Sequence, residues 1–260
     1  MSRTIGVGRH CDAVPAAQRG KRPPGWSRAH PRAVRALGTT FLMAAVAGCA
    51  AEPAEESGVE SAPTTAVDVP LLEEQPDGGQ IAPGRYVLNP FDSDPSAPVA
   101  PVLEVPEGFS SIGGAGVVDW GAGYRLVGLW DIDAVFTHPC DVSGSPERVG
   151  PSVADLAGAL AAQPMREATE PVPVTIGGYE GLYLELSTPD DISNCPGGYF
   201  RSWPGREDNA AGVKYLLWIV DVEGQRITFD LSYTPGATPE QVDELREIVT
   251  TATFIRREGT

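Results

Sequence analysis

The residues best suited to chemistry cluster around one histidine. His138 is the only histidine after Cys49, and Cys140 follows it by two positions, with Asp131 and Asp133 upstream. A free cysteine beside a histidine is a nucleophile–base pair, and a histidine with carboxylates is a set of metal ligands. Residues two apart on an extended chain share one side without guaranteed contact, and Cys140 is expected to be oxidised. We therefore predict no catalytic residue, no metal and no cofactor.

Other enzyme signatures are also absent from the sequence. The acidic pairs, Asp92 with Asp94 and Asp190 with Asp191, do not follow the order of a calcium-binding EF-hand loop. Neither Gly-x-Ser-x-Gly nor Ser-x-x-Lys, the usual marks of serine hydrolases, stands in the domain. We predict that the acidic pairs are solvated loop charges and that the protein is not an enzyme.

One loop combines aromatic and basic residues. Residues 197–208, GGYFRSWPGRED, place Tyr199 and Trp203 beside Arg201 and Arg206. Aromatic residues and arginine are frequent interface anchors, so these four are candidate binding residues for a protein, a glycan or an acidic ligand. The alternative is that the rings pack under the loop as a satellite core and the arginines pair with nearby acids.

The N-terminal segment carries an export pattern. Residues 37–48, LGTTFLMAAVAG, are apolar and uncharged, too short for a spanning helix of ~20 residues but typical of a signal-peptide core. This segment ends in Val46-Ala47-Gly48, and together with Cys49 these residues resemble the lipobox of bacterial lipoproteins. That resemblance implies a signal peptide over 1–48, diacylglycerol and palmitate on Cys49, and anchoring at the outer face of the cytoplasmic membrane. The alternative is a secreted protein cut by the ordinary signal peptidase.

The charge is divided unevenly along the chain. Residues 1–48 hold eight basic residues and one acidic residue, which leaves 11 basic and 34 acidic residues afterwards, a net charge of −23. Such a charge excludes nucleic acid as a partner and disfavours flat contact with anionic lipid. Residues 49–80 are acidic and contain Pro, Ser, Thr and Gly, which predicts a disordered tether. The alternative for its short apolar cluster, Val69-Pro70-Leu71-Leu72, is docking on the domain. The globular domain is expected over 81–257.

Two cysteines remain for the domain after export. Cys140 and Cys195 both lie in loops with proline and glycine. Thiols in an exported domain are expected to pair, and closing a loop of this length stabilises a fold by about 4 kcal/mol in the chain-entropy model. We predict a disulfide between them.

The domain pattern alternates hairpins with two helices. Hairpins are predicted over 172–187 and 213–233, and helices after Ser152 and Thr238, each with capping signals. A short final strand is expected near Thr253–Ile255. The predicted class is α+β, with a single twisted antiparallel sheet packed by two helices.

The hairpin GGYEGLYLEL and the closing ITFDLSYTPGATPEQVDELREIVTTATF resemble actinobacterial cell-envelope lipoproteins of the PsbP-like fold, the LpqN type. The resemblance covers the last 90 residues or so best. It implies an α/β/α sandwich used for binding or assembly, and it carries over no catalytic residue.

These features predict a membrane-anchored, monomeric extracytoplasmic binding or assembly module. Its partners are expected to be the membrane through the lipid anchor, and either an envelope protein or a small apolar or glycan ligand. One alternative is a structural or stress-related envelope protein that contacts only other proteins. A second is an enzyme with an unrecognised site.

The basic, proline-rich region before Leu37 predicts a late translation start. We hypothesise that translation begins at Val34 on a non-ATG codon, so that residues 1–33 are not made. N-terminal sequencing of a Cys49→Ala precursor, which the lipoprotein peptidase cannot cleave, is then expected to begin at position 34. A precursor that begins at Met1 contradicts the hypothesis.

Overall fold

The computed structural model describes residues 69–91, 97–121, 123–141 and 143–257. The signal segment, Cys49 and the pair Asp92 and Asp94 lie outside these ranges. Within them, no helix has the length and apolar character needed to cross a membrane.

The described chain contains fourteen strands, two α-helices and two short 3₁₀ turns, at Leu72–Glu74 and Pro196–Gly198. The helices are α1 (Val153–Ala161) and α2 (Pro239–Thr250). In chain order the strands are β1 (Gly84–Val87), β2 (Val99–Val105), β3 (Ser110–Ile112), β4 (Gly116–Asp119), β5 (Arg125–Trp130), β6 (Ala134–Val135), β7 (Glu147–Arg148), β8 (Val172–Ile176), β9 (Tyr179–Ser187), β10 (Phe200–Trp203), β11 (Arg206–Asp208), β12 (Lys214–Val222), β13 (Gln225–Tyr233) and β14 (Thr253–Arg256).

Seven strands form a central antiparallel sheet in the order β3-β4-β5-β13-β12-β9-β8. The two predicted hairpins, β8–β9 and β12–β13, lie where the sequence places them. At the β8–β9 turn, Gly177 has φ 55° and a Cβ there would meet the Phe254 ring at 2.6 Å. The turn therefore requires glycine both for its backbone conformation and for the approach of the ring.

One face of this sheet packs against α2 and a three-stranded sheet of order β1-β2-β14. Ile227, Phe229 and Leu231 alternate along β13 and are fully buried on this face. Helix α2 contributes Leu245 and Val249 to the same cluster. Burial of each such side chain contributes about 1.5–3 kcal/mol, so this layer is the larger part of the core.

The opposite face is covered by α1 and by β structure. Leu156 and Leu160 of α1 pack with Leu184 and Leu217 of the sheet. Beside the helix, the β10–β11 hairpin adds Trp203 to this cluster. The β6–β7 pair lies next to β10 in the same layer.

The start of α1 is fixed by a cap and by an arginine. The Ser152 side chain accepts the N–H of Asp155 in a capping box. Arg226, near the start of β13, donates to the carbonyls of Gly150 at 2.5 Å, Ser152 at 2.9 Å and Ile132. These bonds join the loops before α1 to the central sheet.

The predicted fold class is wrong. The described residues are mostly β, with fourteen strands in four sheets and only two helices. A single sheet packed by two helices, and with it the implied α/β/α sandwich, omits the strands that form much of both covering layers. The strands of the β10–β11 hairpin are three to four residues long around Pro204-Gly205, and the sequence pattern treats them as a loop. Strand β14 pairs with β2 and not with the central sheet.

Residues 69–80, which the sequence assigns to the tether, pack on the domain. Leu72 is fully buried in the main core. Val69 and Leu71 contact a second cluster on the outer side of the three-stranded sheet, and Leu71 forms a parallel bridge with Val87. These apolar side chains offset the cost of ordering the segment.

Truncation of Leu72 tests whether this segment belongs to the fold. Leu72→Ala is expected to lower the free energy of unfolding by about 2–5 kcal/mol, because it leaves a cavity in the core. Glu74→Ala, an exposed change in the same turn, is the control and should stay within about 0.5 kcal/mol. Equal urea midpoints for the two variants would contradict the assignment.

Candidate functional site

A cluster of charged residues is buried between the central sheet and the β10–β11 hairpin. Arg206 on β11 faces Asp230 on β13, with Nε 3.6 Å from Oδ2, and Asp208, with Nη2 3.5 Å from Oδ1. Its Nη2 donates to the Ser232 hydroxyl at 2.7 Å. Asp230 and Ser232 are inaccessible to solvent, and Arg206 is 9% exposed.

Two tyrosines complete this ionic cluster. Tyr215 on β12 and Tyr124 before β5 donate to the two oxygens of Asp208, the latter at 3.1 Å. Tyr124 also accepts from Arg206 at 3.3 Å. The Arg206 guanidinium lies 5.0 Å from the centre of the Tyr215 ring, which favours the cation further.

The burial of the cluster displaces its pKa values. Burial raises the pKa of Asp230, and the charge of Arg206 offsets only part of that rise. Burial also raises the pKa values of Tyr215 and Tyr124. For Arg206, burial lowers the pKa, but the charge of Asp230 with its neighbours outweighs it and holds the pKa well above its ordinary value.

The indole of Trp130 lies beside Asp230. Gly128 on β5 is opposite Asp230 in register, and the Trp130 Nε1 atom is 3.4 Å from the position of a Cβ at Gly128. The indole N–H and the Ser232 hydroxyl each lower the pKa of Asp230, against the larger effect of burial. This arrangement holds a charge pair in place and offers no open reaction space, so we read it as structural.

A second arginine, half-buried, lies next to the cluster. Arg166 follows α1, and its guanidinium stacks on the rings of Phe200 at 5.3 Å and Tyr215 at 4.9 Å. Its Nη1 donates to Gln163 at 2.7 Å and Ser202 at 3.0 Å. The Nη2 atom is buried and makes no hydrogen bond within the described residues. Burial lowers the pKa of Arg166.

A surface concavity lies between α2 and the edge of the three-stranded sheet. This α2 groove has a volume of about 550 Å³. Its apolar wall comes from proline, valine and isoleucine, and its polar wall from three glutamates and a threonine. The lining residues are Pro83, Gly84, Glu104, Val105, Pro106, Glu244, Glu247, Ile248 and Thr251.

The predicted pair of cysteines is joined. A disulfide connects Cys140 and Cys195, whose Cα atoms are 4.6 Å apart. Cys195 packs with Ile192 and Phe200 in a small apolar cluster at the base of the loop. The bridge therefore ties the loop after β6 to the loop that leads into β10.

The four residues of the predicted recognition loop do not share one surface. Trp203 is 1% exposed and packs against the rings of Trp130 at 5.6 Å and Tyr215 at 6.2 Å. Arg206 belongs to the buried cluster. Arg201 is half-buried over the Phe136 ring at 4.2 Å, and Tyr199 is 41% exposed. Trp203 and Arg206 thus follow the alternative in which the ring packs under the loop and the arginine pairs with nearby acids. Of the four residues, only Tyr199 and part of Arg201 face solvent.

The residues around the histidine do not assemble. His138, Asp131 and Asp133 are exposed, Cys140 is in the disulfide, and Asp133 pairs with Arg148 at 3.0 Å. No group of three His, Cys, Asp or Glu side chains converges to hold a metal ion in the described ranges.

Sequence reasoning missed Asp208, Asp230, Tyr124, Tyr215 and Arg166. One signal was available: Thr228, Asp230 and Ser232 alternate with apolar residues on a strand predicted to be central. A central strand covered on both faces must bury such a carboxylate, and a buried charge requires a partner. The sequence did not show that the second face was covered.

No family model and no curated protein matches the chain. It is similar to a solved structure described as LpqN involved in cell envelope biogenesis of Mycobacterium tuberculosis, at 16% identity, with a TM-score of 0.36, over 65% of this chain and 90% of that one. A likeness this weak carries no argument, and the LpqN-type likeness stays a resemblance of sequence pattern.

The raised pKa of Asp230 predicts a distinctive pH dependence. The group binds its proton more tightly folded than unfolded, so its contribution to stability is fully present below its ordinary pKa of 3.8 and is lost as pH rises through the folded value. The free energy of unfolding of the wild type, minus that of Asp230→Asn, is therefore expected to fall with rising pH. Urea titrations at several pH values measure it, with Asp243→Asn as the exposed-carboxylate control.

If the free energy of unfolding of the wild type, minus that of Asp230→Asn, rises with pH, the fold stabilises Asp230 better as the anion. That outcome would contradict the direction of its pKa shift.

Proposed function

We propose that this chain is an exported, lipid-anchored binding module whose ligand site is the α2 groove. The lipobox-like Val46-Ala47-Gly48-Cys49 supports export and anchoring. The Cys140–Cys195 disulfide supports the same location, because disulfides persist in oxidising compartments outside the cytoplasm.

The groove is the observation that carries the binding proposal. Its volume lies in the range of small-molecule sites, which usually combine an apolar wall with a few polar groups. Val105 and Ile248 supply part of the apolar wall, and both belong to the rigid core. The site is thus preformed, which lowers the cost of binding.

The glutamates indicate the chemistry of the ligand. Glu244 pairs with Arg125 at 3.0 Å, whereas Glu104 and Glu247 make no ion pair within the described residues and are exposed. Carboxylates accept hydrogen bonds and attract cations. The fitting ligand is a small amphiphile with an apolar part and hydroxyl or ammonium groups, which includes glycan-bearing molecules.

An assembly role is the second candidate. Trp120, in the loop between β4 and β5, is 64% exposed, the most of any large apolar side chain described. Exposed tryptophans are frequent anchors of protein interfaces. Trp120 and, separately, the exposed Tyr199 are the side chains to mutate for a protein partner, since Trp203 is buried.

Affinity purification from the native envelope tests both candidates, with eluted proteins and extracted small molecules identified by mass spectrometry. A co-purifying small molecule is expected, and Thr251→Trp should remove it because the indole fills the groove. Thr250→Trp is the matched control: each threonine donates to a carbonyl one turn earlier, but Thr250 does not line the groove.

Retention of the small molecule by the Thr251→Trp variant would show that its binding site lies outside the α2 groove. A stoichiometric protein partner that Trp120→Ala releases, with no small molecule, would replace the proposal by the assembly role.

A further inference from the structure

The region around Arg166 contains a second concavity, separate from the α2 groove. A cavity of about 320 Å³ is lined by Met165, Arg166, Glu167, Ser187, Thr188, Pro189 and Asp190. It lies where the segment after α1 runs beside the end of β9, with the Ser187 N–H bonded to the Glu167 carbonyl at 3.0 Å. A volume of this size holds a small metabolite.

Arg166 is an unusual wall for such a cavity. A guanidinium with a buried nitrogen is normally paired with a carboxylate, yet no carboxylate of the described residues lies within 4 Å of the half-buried Arg166, and its buried Nη2 has no acceptor. Phe200 and Tyr215 hold the guanidinium from two sides. The fold therefore keeps one charge-bearing donor in place without a direct ion pair, and the charges of Asp208 and Asp230 act on it only from a greater distance.

Carboxylates lie in the same wall but do not pair with the arginine. Glu167 and Asp190 are exposed, and neither makes an ion pair or a side-chain hydrogen bond within the described chain. Opposite charges are thus held apart around one cavity, and a molecule that carries both signs would satisfy each of them. A simple anion would satisfy Arg166 but meet the two carboxylates.

The backbone beside the arginine is strained. Met165 has φ 67°, in the left-handed region that L side chains rarely adopt, and its side chain is 55% exposed. Such conformations persist where the surrounding structure holds them and cluster at ligand-binding segments.

We propose that this cavity binds a free amino acid as the zwitterion, with the ligand carboxylate on Arg166 and its ammonium group between Glu167 and Asp190. The proposal does not depend on the α2 groove. Amino acids fit the volume, and their two charges match the two charged parts of the wall.

The test uses the common L-amino acids as probes, added to the purified protein and followed by ¹H–¹⁵N NMR. At least one is expected to shift the amides of residues 165–167 and 187–190 at concentrations up to roughly 10 mM. Its amide, which lacks the carboxylate, and its deamino acid, which lacks the ammonium, should each bind about tenfold or more weakly. No shift with any probe overturns the proposal, and equal binding of the deamino acid replaces the zwitterion by a simple anion.

Variants assign the two ends of the ligand. Arg166→Gln is expected to abolish binding, while Arg201→Gln, which changes another half-buried arginine stacked on a ring, should leave it unchanged. If Arg166→Gln does not fold, Asp190→Asn decides, since this exposed residue has no partner to lose. Asp190→Asn should weaken the binding of the amino acid and leave the binding of the deamino acid unaffected. Unchanged binding of the amino acid overturns the assignment.

Discussion

The ion cluster of Arg206, Asp208 and Asp230 is the constraint on which the second face of the sheet depends. A charge moved from water into a protein interior costs several kcal/mol even after relaxation, and removal of one partner of a buried pair costs about 3–5 kcal/mol. Asp230 stands on the central strand, so its partner must come from the layer above. Arg206 supplies it from the hairpin, and the hairpin therefore has one position on the sheet.

The position of the hairpin determines its surroundings. Once Arg206 and Asp208 are set, Trp203 falls between Trp130 and Tyr215, and Phe200 closes the small cluster under the disulfide. Arg166 and Arg206 then stack on Tyr215 at similar distances. Two arginines and two aspartates share one buried volume, so their formal charges balance although Arg166 makes no direct ion pair.

The hairpins of the central sheet and the caps of both helices could be predicted from sequence, because these depend on nearby residues. Gly177-Gly178 specifies a turn, and Thr238-Pro239 starts a helix, whatever lies above them. The covering layers depend on pairings between distant segments, such as β2 with β14 and Arg206 with Asp230. Strands of two to four residues carry too little alternation to be predicted from the sequence. The sequence therefore predicts an α+β class, and a loop in place of the β10–β11 hairpin.

Pairing between distant segments also explains why Trp203 and Arg206, which the sequence offers as binding residues, are buried in the structure. Trp203 and Arg206 carry the composition of an interface, but composition does not distinguish a partner from the protein's own sheet. The four tyrosine and aspartate partners of Arg206 come from three separate strands and one loop. No short motif joins them, and only the register of β5, β13 and β12 brings them together.

The placement of arginines also shapes what the outer surface can bind. After Cys49 the chain has only 11 basic residues against 34 acidic ones, and several of the 11, among them Arg125, Arg206 and Arg226, are drawn inward by carboxylates or carbonyls. The surface keeps the acidic excess of the composition, and such a surface disfavours contact with an anionic membrane. Its open concavities then favour ligands that bring their own positive charge, because Glu104, Glu247, Glu167 and Asp190 have no internal cation to neutralise them.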